Sequence, residues 1–284
     1  MISKLEEMMS RYPTETLLDK ENALKETCQD ILLYGLSKTN FFASAAMYGG
    51  TAMRLFLGLD RFSEDLDFTL KENKPDFSWN PYLPTLRKVL ASFGLGGDIT
   101  VKEKDTGVST ALLSEPTKDT LLFIYPEETS ASHIVFNQRT KIKFEIALQP
   151  SLQATYQQGY LEYPTSFGIT LLDPPSLFSG KISALLYRDW KGRTKGRDYY
   201  DFAFYVRKGI HPNMAYLKEQ IQRKENISCD ITNSQILSRL KKRFSAIDFE
   251  QAKKDVLPFL SDASRLDVWS PDYFDQLAEK VFPE

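Results

Sequence analysis

Residues 47–70, MYGGTAMRLFLGLDRFSEDLDFTL, constrain this chain more than any other stretch. Three small residues, Gly49-Gly50-Thr51, open a short helix expected over 52–57. A loop with Arg61 and Ser63 follows, and Asp65-Leu66-Asp67-Phe68 runs into a strand. Alternate side chains of a strand share a face, so Asp65 and Asp67 point one way while Leu66 and Phe68 enter the core. Neighbouring carboxylates repel each other, and hard divalent cations favour oxygen ligands of this kind. Two readings fit: a magnesium site beside a phosphate-binding turn, or a solvated acidic strand face, which is the usual fate of an isolated D-x-D. The glycine turn favours the first, because backbone N–H groups at a helix N-terminus cradle phosphate.

The hydrophobic pattern changes period along the chain. Helical spacing of Leu24, Cys28, Ile31, Leu32 and Leu36 predicts a helix over 19–39, and a second is expected over 80–93 with Pro81 in its first turn. Strand-like runs end at Tyr48 and then cover 99–104, 120–125, 133–139 and 141–148. The clean alternation from Lys141 to Ile146 sets Glu145 on the polar face with Lys141 and Lys143. After Pro174-Pro175 the pattern is helical, over 176–188, 197–208, 214–225, 232–244, 248–259 and 271–281. This order predicts an α+β fold in two parts, a mixed sheet with N-terminal helices over 1–172 and a helical domain over 173–284. The 284 residues, 42% hydrophobic and 26% charged, suffice for one large or two modest cores.

A net charge of −2 provides no global field for nucleic acid, leaving only local patches such as Arg239, Lys241, Lys242 and Arg243. Cys28 and Cys229 lie far apart and outside any metal spacing, as expected of free thiols in a reducing cytoplasm. No signal peptide and no membrane-spanning run is visible, so a cytoplasmic location without membrane partners is expected.

A second dense stretch, GKISALLYRDWKGRTKGRDYYDF over 180–202, holds the remaining candidates. Lys181 and Arg188, seven apart, share a helix face. Arg193, Lys195 and Arg197 fall in the connecting loop, and Asp198 and Asp201 are three apart on the next helix. Lys181 suits a triphosphate, with Asp198 orienting Lys181 or another base; a solvated helical hairpin is the plainer alternative. Glu145 is the candidate third carboxylate for metal, or a surface glutamate paired with Lys141 or Lys143. Trp190, beside Arg188, is either core or a base-stacking platform, and His133 and His211 receive no role.

Four motifs in order, G-G-T-A-x-R, R-x-S-x-D-L-D-F, K-x-x-A-L-x-x-R and K-G-R-D-x-Y-D-F, resemble those of the AbiEii/AbiGii nucleotidyltransferase toxins within the DNA polymerase β-like superfamily. The resemblance spans residues 48–207, with Thr51 where the superfamily usually has serine. It implies a polymerase β-like mixed sheet with flanking helices, followed by a helical C-terminal domain. It further implies transfer of a nucleoside monophosphate from a nucleoside triphosphate to a hydroxyl, the tRNA 3′ end, with two magnesium ions and a cognate antitoxin as partner. By position, Gly50 and Thr51, beside Gly49, would contact phosphates, and Asp65 and Asp67 would bind metal. Lys181, Arg188 and Asp198 would complete the nucleotide site. Ser63 matches a serine that is phosphorylated in relatives; a phosphate there would repel the nearby aspartates. Two alternatives remain: a catalytically silent nucleotide-binding module acting through a partner, and a small-molecule nucleotidyltransferase.

Overall fold

The computed structural model describes residues 3–102, 107–125, 138–188 and 194–283. The chain forms two compact units: residues 1–51, 64–150 and 158–171 make the first, and residues 52–63, 151–157 and 172–284 the second.

The first unit carries the strands β1 (Ala45–Tyr48), β2 (Leu66–Leu70), β3 (Asp98–Lys102), β4 (Val108–Pro116), β5 (Arg139–Ala147), β6 (Tyr156–Leu161) and β7 (Phe167–Leu172). They form one seven-stranded mixed sheet in the order β3-β4-β5-β2-β1-β7-β6. β1 runs antiparallel to β2 and parallel to β7, while β2 and β5 are parallel neighbours. Helices α1 (Lys4–Met9), α2 (Leu17–Ser37), α3 (Phe41–Ser44), α4 (Gly49–Leu57), α5 (Leu83–Ser92) and α6 (Thr117–Ile124) complete this half of the sequence. The fold is α+β with a mixed sheet, as the sequence predicts.

Period-2 alternation builds the part of the sheet that matters for chemistry. Leu66, Phe68, Phe144 and Ile146 are buried, so Asp67 and Glu145, between them in sequence, are turned to the opposite face. Phe68 meets Phe41 edge-on with ring centroids 5.0 Å apart, and Trp79 meets Phe144 at the same spacing. Burying side chains of this size contributes roughly 1.5–3 kcal/mol each, which fixes the register of β2 and β5. A capping box between Thr16 and Asp19 starts α2, which buries Leu24, Cys28, Ile31, Leu32 and Leu36 as its spacing requires.

Several local expectations are overturned. The apolar run 120–125 lies in α6 and its end, not in a strand: Thr117, Thr120, Leu121 and Ile124, at helical spacing, are buried. The strand that flanks β5 is β4 instead, unread because Ser109, Thr110 and Ala111 are buried in succession and break the alternation. β6 and β7 were likewise unexpected. Pro81 precedes α5, whose first turn holds Pro84. α4 begins at Gly49 itself, so the small residues form its first turn rather than a loop before it. Of the strand expected over 133–139, residues 133–137 lie outside the described residues, as do Trp190 and Arg193.

In the second unit, helices α7 (Pro174–Tyr187), α8 (Gly196–Arg207), α9 (Met214–Glu225), α10 (Asn233–Ser245), α11 (Phe249–Val256) and α12 (Pro271–Val281) pack around Phe178, Phe202, Phe244 and Phe274. α7 takes both prolines into its first turn behind the Asp173 cap, two residues earlier than expected. The helix expected over 248–259 is split: α11 stops at Val256, and a 3-10 turn, Leu257–Phe259, accommodates Pro258. At Gly196 a Cβ would collide with the carbonyl of Ala252, so only glycine permits this approach of α8 to α11.

Candidate active site

The acidic face of the first unit is assembled by β1, β2 and β5. Gly49, at the start of α4, has φ 86°, and a Cβ there would lie 3.0 Å from both Cβ and Cγ of Asp67. Glycine is therefore required twice over, by backbone conformation and by the packed carboxylate. Gly49→Ala is expected to lose about 1–2 kcal/mol from the positive φ alone and to push Asp67 off its position. Urea unfolding measures the first effect, and the transfer rate the second. Gly50 is buried in the same turn, and Thr51, 1% exposed, donates its hydroxyl to the backbone carbonyl of Asp65 at 2.6 Å. Thr51 thus ties the helix start to the strand entry.

Asp67 and Glu145 are register partners across the parallel β2–β5 pair, and Asp65 stands one residue before β2. Lys143 reaches from β5 into this group: its Nζ lies 2.9 Å from Glu145 Oε2 and 3.5 Å from Asp65 Oδ2, and it feels the charge of Asp67. Thr110, from β4, donates to Glu145 Oε1 at 2.9 Å. Burial lowers the Lys143 ammonium's affinity for its proton, but the carboxylates outweigh that and raise its pKa. Burial raises the Asp65 carboxyl, opposed by Lys143 and reinforced by Glu64 and Glu145. Glu145 thus pairs with Lys143, as the second of its two alternatives expects, and stands beside Asp67 in register.

Two carboxylates, Glu145 and Asp65, pair with the Lys143 ammonium and Asp67 adjoins Glu145 in register, oxygen donors of the kind that a hard divalent cation takes. Among the described residues, no group of three or more His, Cys, Asp or Glu side chains is placed to hold a metal ion.

The second unit contains a buried ion-pair network. Asp201, on α8, is fully buried and grips Arg61 through two hydrogen bonds, Nε to Oδ1 at 2.6 Å and Nη2 to Oδ2 at 2.7 Å. Lys181, on α7, lies 2.6 Å from Asp201 Oδ2 and 3.8 Å from Asp198 Oδ1. Arg188, at the end of α7, lies 3.2 Å from Asp198 Oδ1. Lys181, Arg188 and Asp198, singled out from sequence, are thus brought together, but the hub is Asp201. Its signal in sequence was R-D-x-x-D, which sets both aspartates on one face of α8.

Lys195, capping α8, belongs to the same group. Burial, joined by the charges of Arg188, Arg197 and Lys181 and opposed by Asp198, lowers its pKa to about 8. Among the described residues, Arg61, Lys181, Arg188 and Lys195 thus gather around the carboxylates of Asp198 and Asp201. Arg54 donates to the backbone carbonyls of Leu59 and Arg61, so it braces the loop rather than facing a phosphate. Ser63 is 6% exposed, so its hydroxyl is not presented to solvent.

The basic cluster on α10 is largely internally paired. Arg239 holds Glu225, Lys241 holds Glu279, and Arg243 donates to the carbonyls of Leu185 and Arg188. These contacts draw three of its four charges away from an RNA backbone. His211 is exposed, and His133 lies outside the described residues. No described helix is long and apolar enough to cross a membrane.

The family described as nucleotidyl transferase AbiEii toxin, type IV toxin–antitoxin system, matches residues 31–280. Among solved structures, MenT4, a nucleotidyltransferase toxin from Mycobacterium tuberculosis H37Rv, aligns with a TM-score of 0.58 and 14% identity, over 98% of this chain and 88% of that one. That likeness concerns the fold alone. A putative nucleotidyltransferase from Helicobacter pylori aligns with a TM-score of 0.47 and 19% identity, over 90% of this chain and 89% of that one. JHP933 from the same organism aligns with the same score and identity, over 92% and 88%. No curated protein matches the chain.

Proposed function

From the premise that this chain belongs to the AbiEii nucleotidyl transferase toxin family of type IV toxin–antitoxin systems, and is a nucleotidyltransferase, we propose that it transfers a nucleoside monophosphate from a nucleoside triphosphate to the 3′ hydroxyl of tRNA. The observation that carries this reading is the trio Asp65, Asp67 and Glu145, at the entry to β2 and on β2 and β5, with Lys143 paired to Asp65 and Glu145. A pure binding module has no need of three carboxylates on one face.

Asp65, Asp67 and Glu145 would hold magnesium. Bound there, magnesium lowers the pKa of the attacking hydroxyl and offsets the charge on the departing pyrophosphate. Gly49, Gly50 and Thr51, in the first turn of α4, would turn backbone N–H groups to phosphate oxygens. Lys181 and Arg188 would attract the triphosphate, with Asp198 and Asp201 fixing their directions. The family places an antitoxin beside this activity. Phosphorylation of Ser63 would oppose metal binding by like-charge repulsion, and it requires the loop to open first.

Incubating the purified protein with magnesium, total tRNA and each nucleoside triphosphate in turn, labelled on the α-phosphate, tests this reading. Label on RNA, with pyrophosphate released, is the expected result. Nucleotide binding without label on any RNA would instead favour the silent module, and label on a small acceptor the small-molecule transferase.

A further inference from the structure

Three carboxylates crowded on one sheet face repel one another unless a positive charge stands among them. In this chain that charge is built in. Lys143 is two residues before Glu145 on β5, so both side chains leave the same face of the sheet. Its ammonium touches Glu145 at 2.9 Å and Asp65 at 3.5 Å, while the β2–β5 register sets Asp67 directly beside Glu145. The Lys143 side chain is 40% exposed. Its long, flexible stem can therefore swing the ammonium into water without opening the core.

We propose that Lys143 is an internal counter-ion that holds Asp65, Asp67 and Glu145 together in the metal-free protein and is displaced when a divalent cation binds. This rests on the assignment of those three residues as metal ligands and adds a competitor to it. The ammonium and the metal seek the same oxygens, so each weakens the other. Lys143 then sets the metal concentration at which the site fills, and it keeps the acidic face ordered below that concentration. It is a positioning residue, because it acts through the carboxylates rather than on substrate.

Manganese, bound without nucleotide and followed by titration calorimetry and by the electron paramagnetic resonance of the free ion, is the probe. Lys143→Met keeps the stem and removes the charge, and Lys143→Gln repeats the test with a polar stem. Lys141→Met, on the same face of β5, is the control. Both Lys143 variants are expected to bind manganese about fivefold more tightly than the parent, since a partly exposed ion pair contributes up to about a fivefold step in an equilibrium. They are also expected to melt lower in chelator and to gain more from manganese. Lys141→Met is expected to stay within about twofold of the parent.

Equal or weaker binding by the Lys143 variants, while Asp67→Asn abolishes binding, overturns the displacement and leaves the metal assignment standing. If Asp67→Asn binds manganese as the parent does, or if none of these proteins binds it, the metal assignment itself falls and the inference falls with it.

Discussion

Asp67→Asn is expected to slow nucleotide transfer by about 10²- to 10³-fold while leaving thermal unfolding near that of the parent. The two halves of this expectation have separate causes. Asparagine fills the same space against Gly49 and keeps the β1 and β2 pairing that places residue 67 opposite Tyr48. Leu66 and Phe68, which hold the strand in the core, are untouched. What is lost is the charge on the central member of the acidic trio, the one that adjoins Glu145 across β2 and β5. A carboxamide oxygen is a weaker ligand for a hard cation, and it does little to offset charge moving between hydroxyl and phosphate. Initial rates of label transfer, set beside melting curves, check both halves. A variant that unfolds early would mean that the aspartate serves the fold rather than the chemistry.

Asp201→Ala is expected to act the opposite way, destabilising the second unit by about 3–5 kcal/mol as measured by urea unfolding. The reason is the burial of its partners. Arg61 is 3% exposed, and its guanidinium makes two hydrogen bonds to Asp201. Removing the carboxylate leaves that charge, and the ammonium of Lys181, without their nearest counter-charge. The double variant Asp201→Leu with Arg61→Met is expected to regain part of the loss, because it removes the buried guanidinium together with its partner and leaves Lys181 only the more distant Asp198.

The same pair predicts a pH dependence. Burial pushes the Asp201 carboxyl up, but the charges of Arg61 and Lys181 outweigh it and hold its pKa at about 2, against an ordinary value of 3.8. A carboxyl depressed on folding contributes stability that is fully present above its unfolded pKa and is lost as pH falls through the folded one. Stability is thus expected to decline between about pH 4 and pH 2, with a shallower slope in Asp201→Ala.

The sequence made some of this legible and hid the rest for identifiable reasons. β2 and β5 could be read because Leu66, Phe68, Phe144 and Ile146 alternate with polar residues, and that alternation alone puts Asp67 and Glu145 on the outer face. β4 could not, because a strand flanked by others can bury small hydroxyl residues on both faces, as Ser109 and Thr110 are buried. The run 120–125 misled because six apolar-rich residues carry no decisive period, and length and flanks must then decide between helix and strand. In the second unit, spacing brought Lys181, Arg188 and Asp198 to notice. The hub was hidden because Arg61 and Asp201 are 140 residues apart, and only the tertiary fold joins them. Lys143 was visible only as a rival explanation for Glu145, whereas it touches Glu145 and Asp65 together.

The most direct test of nucleotide transfer is the intact mass of a purified tRNA after incubation with the protein, magnesium and nucleoside triphosphates. The account predicts a gain of one or more nucleoside monophosphates, confined to the 3′ terminal fragment after nuclease digestion, and no gain with Asp67→Asn. Unchanged tRNA mass in the presence of folded, nucleotide-bound parent protein would contradict it.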